Sequence, residues 1–399
     1  MAAPKNDASP LPAAMLALEM EPSKPDSLRV VERPLPRPGP LQALCRVEAV
    51  SIGALDVEGD RRPVALGHEG SLRVVETGER VGHRLRPGQR LILLPSRGKR
   101  PGDDPADICS LAQYVLLRED VLDSPERIVP ISAPPSVFPH YGAALAEPLA
   151  RVVAAHAHLV HVQSSAIDGE RTHRAGILPG GVALILGADL AGLLHAAYAL
   201  LRRPRLVLVC DPRRERREAI IEGLRAPAER EGTDLEPVDP PSLEEALLRR
   251  GAGVGVDDLL VTGRGSSGIE NPLRLLARGG CLLFCAPPSS PGSSGSGGRT
   301  HGLDPSLLYE RSILAAGSGP PGPADLRRAV QLQERGALDL SPLVSAVGNI
   351  YAAPAALRML SEGRLEAEAV IYPHAAAGEL ILVHEWGPAA EAMFGETDS

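Results

Sequence analysis

Two stretches decide how this chain is read: GVALILGADLAGLLHAAYALL at residues 181–201 and RLVLVCD at residues 205–211. The first is apolar enough to be mistaken for a membrane span, but Asp189 and His195 interrupt it. Read instead as a strand at 182–186 followed by Gly187, Ala188, Asp189, Leu190, Ala191 and Gly192 and then a helix, it matches a G-x-G-x-x-G turn position for position, with Asp189 in place of the second glycine. Such a turn presents the positive end of a helix to a pyrophosphate. The next strand ends at Asp211, twenty-four residues after Gly187, where a carboxylate accepts hydrogen bonds from ribose hydroxyls and repels a 2′-phosphate. NAD is therefore expected over NADP, although Arg213 and Arg214 weaken the preference. The expected cofactor-binding residues are Gly187, Ala188, Asp189, Leu190, Gly192 and Asp211. Asp189 adds bulk and like charge where the pyrophosphate would approach, yet Asp is also a good helix cap. The turn thus reads as a weakened dinucleotide site or as a nucleotide fold that has lost its nucleotide.

Around this turn, VALILG, RLVLVCD, DDLLVTG and GCLLFCA are continuous apolar runs that alternate with helical segments, as strands buried on both faces do. The fold class is α/β, with a doubly wound parallel sheet in the middle of the chain. Ahead of it, LRVVERPLP, ALCRVEAVSI, LRVVETGERV and QRLILLP are short β-branched runs between Pro, Gly and charged turns, which predicts a compact antiparallel β-rich unit, followed by a helix over 141–159. The expected divisions are a frayed terminus at 1–26, the β-rich unit at 27–158, the parallel-sheet unit at 159–305, a return to the first unit at 306–375 and a polar tail at 376–399. PPSSPGSSGSGGR, residues 287–299, has the composition of a flexible insert.

The chain has 399 residues, a two-domain size, and its 44% hydrophobic and 23% charged content is that of a folded soluble protein. A net charge of −8 and an aromatic content of 3% argue against nucleic-acid binding, which needs a basic face and stacking rings. Five cysteines without repeated spacing argue against a disulfide framework and fit a reducing compartment. No secretory signal or membrane span is read, so a cytoplasmic protein with a small-molecule substrate, and with no membrane or nucleic-acid partner, is expected. Of His156, His158 and His161, the first two lie two apart and diverge around a helix, so a shared metal is not expected and the three are expected to be exposed or locally bonded. Cys281 and Cys285 lie about 13 Å apart along a strand and are expected to pack in the core.

Taken in order, LGHEG at residues 66–70, VVETGERV, RPGQRL, AEPLA at residues 146–150, the glycine turn, DDLLVTG and LARGGCLLF resemble the zinc-type medium-chain dehydrogenases and reductases, particularly the sorbitol and threonine dehydrogenase branch. The resemblance covers about residues 28–373. It implies a GroES-like catalytic domain split around a Rossmann domain, an active site in the cleft between them, and a homo-oligomer. It also implies that His68 and Glu69 match the family's metal-proximal pair, with His68 a ligand. Glu147 matches the glutamate near the same metal, and Asp56 the acidic residue that orients the ligating histidine.

The departures bear directly on chemistry. Gly53 stands where the family has its metal-binding cysteine, and Leu55 where a Ser or Thr relays the substrate proton. The lobe that holds structural zinc in relatives is short here and contains only Cys109. Zinc is therefore not expected at either place. His68, oriented by Asp56 and supported by Glu69 or Glu147, is the expected acid/base group of a zinc-independent NAD(P)-dependent oxidoreductase acting on a carbonyl, alcohol or enoyl substrate. Changes at three functional positions, Gly53, Leu55 and Asp189, motivate the alternative of a non-catalytic binding or scaffold subunit.

Overall fold

The structure, a computed structural model, describes residues 10–21, 24–53, 70–94, 111–164, 170–262, 269, 271–285, 303–365, 367–376 and 378–395. Asp56, His68 and Glu69, like the insert at 287–299 and Cys109, lie outside the described residues. The chain forms two compact units, the first Met1–Glu147 with Val330–Ser399 and the second Pro148–Ala329. The divisions fall inside the helices Ala146–His156 and Pro323–Glu334.

The first unit begins with the hairpin β1 (Ala14–Glu21) and β2 (Lys24–Pro34) and continues through β3 (Ala43–Ile52), β4 (Gly70–Thr77), β5 (Arg90–Leu93), β6 (Tyr114–Leu117) and β7 (Ile128–Ile131). β1 thus occupies the stretch expected to be frayed, because its alternating Met15, Ala17 and Glu19 pair with β2 from Arg33 to Arg29. In β3, Ala43, Cys45 and Val47 enter the core while Arg46 and Glu48 are half-buried, the two-residue alternation of a strand with one face inward. Glu48 pairs with Arg73 on β4, the two arginines beside it holding its carboxyl below the usual range against the effect of burial.

The second unit carries the hairpin β8 (Val160–Ser164) and β9 (Arg171–Ala175), then β10 (Val182–Leu186), β11 (Leu206–Cys210), β12 (Asp234–Val238), β13 (Val256–Val261), β14 (Leu276–Phe284) and β15 (Leu314–Gly317). The last six form one parallel sheet in the order β12-β11-β10-β13-β14-β15, so the strand order reverses beside β10. That reversal is the switch point at which open α/β sheets bind ligands beyond the carboxyl ends of their strands. β12 carries Pro237, which lacks the amide a central strand would use and suits the edge position it holds. β15 lies beyond the expected end of this unit at 305 and extends the sheet by one strand.

The helix expected over 141–159 is two helices, His140–Ala144 and Ala146–His156, and the chain is already extended again at Val160. Pro148 explains the break: its missing amide is tolerated in the first turn of a helix and not further in.

The chain returns to the first unit with β16 (Val344–Gly348), β17 (Glu368–Ile371) and β18 (Ile381–Leu382), giving a sheet in the order β18-β16-β17-β3-β4-β5-β7, with β6 also paired to β3. The expected polar tail includes a folded helix, Pro388–Gly395, whose Glu391 is only 6% exposed. Its carboxylate accepts from the His140 and Tyr141 amides and from the Tyr372 hydroxyl, each at 2.8 Å, and so caps the helix His140–Ala144 from far along the chain. Trp386 Nε1 donates to the same hydroxyl at 3.0 Å. Glu391→Ala leaves two buried amides without an acceptor and is expected to cost about 2–4 kcal/mol. Trp386 is the chain's one tryptophan and sits in this cluster, so urea unfolding followed by its fluorescence reads the effect. A loss under about 1 kcal/mol would mean that the helix is held by apolar packing alone.

Candidate functional site

The glycine turn lies at the carboxyl end of β10, beside the strand-order reversal. Gly187 has φ 119°, a conformation that side chains rarely adopt. A Cβ at Gly192 would run into the Gly187 carbonyl, its carbon only 2.8 Å away, so the helix Leu190–Leu200 can lie this close to the turn only with glycine there. Both retained glycines therefore have geometric reasons.

Asp189 caps that helix: its carboxylate accepts from the Gly192 amide at 3.1 Å. Burial raises its pKa, opposed by this hydrogen bond and by Arg216. One of the amides at the amino end of this helix is thus already bonded inside the chain. Asp211 is fully buried, with Oδ2 accepting from the Ala188 amide at 2.9 Å and Oδ1 from the Arg213 amide at 2.8 Å. The carboxylate expected at the ribose also holds the turn, and Arg216 lies 3.7 Å from it. Ala188 is buried and Leu190 half-buried beside them. Five of the six expected cofactor-binding residues follow one another within the span 187–192, and Asp211 joins them through the Ala188 amide.

In the first unit, Glu147 is 1% exposed, in the first turn of the helix that begins at Ala146. The structure brings together other groups that sequence reasoning left apart. His156 and His195 are both buried, with His156 Nε2 and His195 Nδ1 3.0 Å apart, and burial lowers both, His195 to about 3. His156 is thus buried and bonded to a residue 39 positions away, rather than exposed or locally bonded as expected, whereas His158 is exposed.

A second group is built from three strands. Asp258 on β13 and Cys281 on β14 are register partners, and His161 on β8 bonds Asp258 Oδ1 through Nε2 at 2.8 Å. Cys281 Sγ lies 3.9 Å from His161 Nδ1 and donates to the Val160 carbonyl at 3.3 Å. Asp258 Oδ2 accepts from the Leu178 amide. All three are buried, with ligand atoms close enough together to hold a metal ion. Burial opposes charge on His161, but Asp258 and Cys281 outweigh it and lift the imidazole to about 10. Cys281 thus packs in the core as expected, yet with a polar partner. No sequence signal pointed to this group, because His161 lies 97 and 120 residues from its two partners.

Among the described residues no helix is long and apolar enough to cross a membrane.

A split β-rich unit around a six-stranded parallel sheet with its glycine turn at the switch point is the fold of the medium-chain dehydrogenases and reductases, the zinc-type family that the sequence resembles. Solved structures agree across the chain: 2R,3R-butanediol dehydrogenase of Bacillus subtilis covers 90% of this chain and is itself covered at 99%, with TM-score 0.65 and 17% identity. By sequence the chain is similar to mannitol-1-phosphate 5-dehydrogenase of Aliivibrio fischeri, 26% identical over 313 residues, 74% of this chain and 69% of that protein. It is also similar to L-sorbose 1-phosphate reductase of Klebsiella pneumoniae, 29% identical over 241 residues, 57% of this chain and 55% of that protein. The match thus spans little more than half the length of the latter. No family model matches.

The His161 pair carries a pH dependence. Its folded pKa, near 10, lies above the ordinary 6.5, so its contribution to stability is complete below about 6.5 and is lost as pH rises through about 10. In Asp258→Asn the carboxylate's support is gone and burial dominates, so His161 should titrate well below its wild-type value and the alkaline loss of stability should disappear. Histidine NMR titration together with urea unfolding at pH 7 and near pH 10 checks both. An unchanged His161 titration in the variant would mean that Asp258 does not set its charge.

Proposed function

We propose that the chain is an NAD(P)-dependent oxidoreductase that interconverts a hydroxyl and a carbonyl on a polyhydroxylated substrate. The observation that carries this reading is the strand, glycine turn, helix and acidic strand end at 182–211, placed at the switch point of a doubly wound sheet. The likeness to sugar-alcohol and sugar-phosphate dehydrogenases supports the substrate class. The nicotinamide, when bound, supplies or accepts the hydride, and the protein must supply orientation and a group that polarises the substrate oxygen.

In the second unit, Gly187 and Gly192 hold the turn open, and Asp211 fixes it through the Ala188 amide. A carboxylate at Asp211 disfavours a 2′-phosphate, so NAD is proposed over NADP. The polarising group is proposed to be built around His68, with Asp56 behind it and Glu69 and Glu147 in support. Leu55 offers no hydroxyl for a proton relay.

The Asp189 cap favours a second reading, a family member that no longer binds the nucleotide, because the Gly192 amide is already occupied. Calorimetric titration separates the two. NADH is expected to bind more tightly than NADPH, and Asp189→Gly to strengthen binding by about 1–3 kcal/mol by removing a like charge and freeing the amide, at a capping cost of only a few tenths. No binding of either nucleotide to wild type or variant would leave the non-catalytic reading.

For a substrate that the wild type turns over, His68→Ala is expected to lower kcat about 10²–10⁴-fold. Nucleotide affinity should hold, since His68 belongs to the other unit. His384→Ala is the control, and full turnover in His68→Ala would remove His68 from the chemistry.

A further inference from the structure

The buried group of His161, Asp258 and Cys281 takes no part in the proposed chemistry, and its geometry has a direction. Asp258 and Cys281 are register partners on adjacent strands, so their side chains leave the same face of the sheet. The imidazole from β8 stands between them: Nε2 bonds Asp258 Oδ1 at 2.8 Å, and Nδ1 faces Cys281 Sγ 3.9 Å away. The Val160 carbonyl lies 3.3 Å from the same sulfur. A nitrogen or oxygen donor and a sulfur donor on one tetrahedral zinc are about 3.5 Å apart, within about half an ångström of both spacings. The bond from Nε2 to Asp258 meanwhile orients the ring, as carboxylates behind metal-ligating histidines do. Donor atoms of the three residues all lie within 4.8 Å of one another. Asp258 pairs with Ala183 near the start of β10, so the group lies toward the amino ends of the strands, away from the glycine turn at the carboxyl end.

We propose that the second unit holds one zinc-like divalent cation between Cys281 Sγ, His161 Nδ1 and the Val160 carbonyl, with Asp258 fixing the ring from behind. Thiolate and imidazole donors suit zinc or cobalt(II) among divalent ions, and copper(I) among monovalent ones. Buried charge decides between them. The hydrogen-bonded His161 and Asp258 pair and the Cys281 thiol together carry no net charge, and a divalent cation that displaces one proton from the imidazole and one from the thiol keeps the group neutral. Copper(I) would leave a net negative charge in the core, which is costly. The bound ion would clasp the β8 and β9 hairpin to β14, a structural role. All three residues belong to the second unit and none lies in the glycine turn, so the assignment stands or falls separately from nucleotide binding and turnover.

The probe is cobalt(II) alone, titrated into dialysed, reduced full-length chain and followed by its absorption. Wild type is expected to bind about one cobalt with a thiolate-to-cobalt charge-transfer band that zinc abolishes by displacement. Cys281→Ser should lose the band, and both it and His161→Gln should weaken binding more than about 100-fold. Asp258→Asn should keep the band and bind about 10–100-fold more weakly, the loss typical of a partner outside the ligand shell. Cys285→Ser, four residues along the same segment, should change nothing. Zinc should also raise the Tm of wild type and leave that of Cys281→Ser where it was. If Cys281→Ser proves unstable, proton release from wild type decides: about two protons per zinc at pH 7 are expected, and one or fewer would refute ligation by both groups. Failure of folded wild type to bind cobalt, binding without the thiolate band, a band that persists in Cys281→Ser, or unchanged affinity in Asp258→Asn would each overturn the assignment.

Discussion

The close approach of the helix Leu190–Leu200 to the Gly187 carbonyl is the constraint on which the second unit depends. It fixes the direction in which the chain leaves β10, and with it the side of the sheet on which the crossover to β11 lies. Asp211 then locks the arrangement from the neighbouring strand by taking the Ala188 amide, and Asp189 closes the first helical turn. Three residues that read as nucleotide contacts thus also form the internal framework of the turn. A carboxylate already bonded to backbone amides is held in place, but its contacts to a ligand come second to its contacts to the chain.

The first unit solves a different problem, the burial of charge in a β-rich core. Glu391 is satisfied by two amides and a phenol, and Glu48 is paired with Arg73 while Arg46 lies near its other side. Arg90 donates to the Ala133 and Phe138 carbonyls. In each case the acceptor or donor comes from a segment distant in sequence, so the charges act as ties between elements that apolar packing alone would leave free to slide. A buried charge leaves its partner few alternative positions, because an unpaired one is so costly.

What the sequence revealed and what it hid follow from the range of the interactions. Continuous apolar runs announced β10, β11, β13 and β14, because strands buried on both faces have no polar positions to confuse the pattern. β12 and β15, the two edges, are half-exposed and carry Pro237 or small residues, and neither was read. The glycine turn was legible because its spacing is local. The His161, Asp258 and Cys281 group and the His156 and His195 pair were not, because each is assembled only by the folded topology. β1 and the C-terminal helix fall in stretches expected to be loose ends, the first for its Ala-, Pro- and Ser-rich surroundings, yet strand pairing orders the one and the Glu391 contacts tie down the other.

The tie from Glu391 to His140 and Tyr141 spans 251 and 250 residues and encloses the whole second unit. As the chain is synthesised, the parallel sheet can close within its own continuous segment, while the β-rich unit must wait with its split halves for a carboxylate made long afterwards. Its helix His140–Ala144 stays uncapped until then, so the half-built first unit is the species most in need of protection during translation.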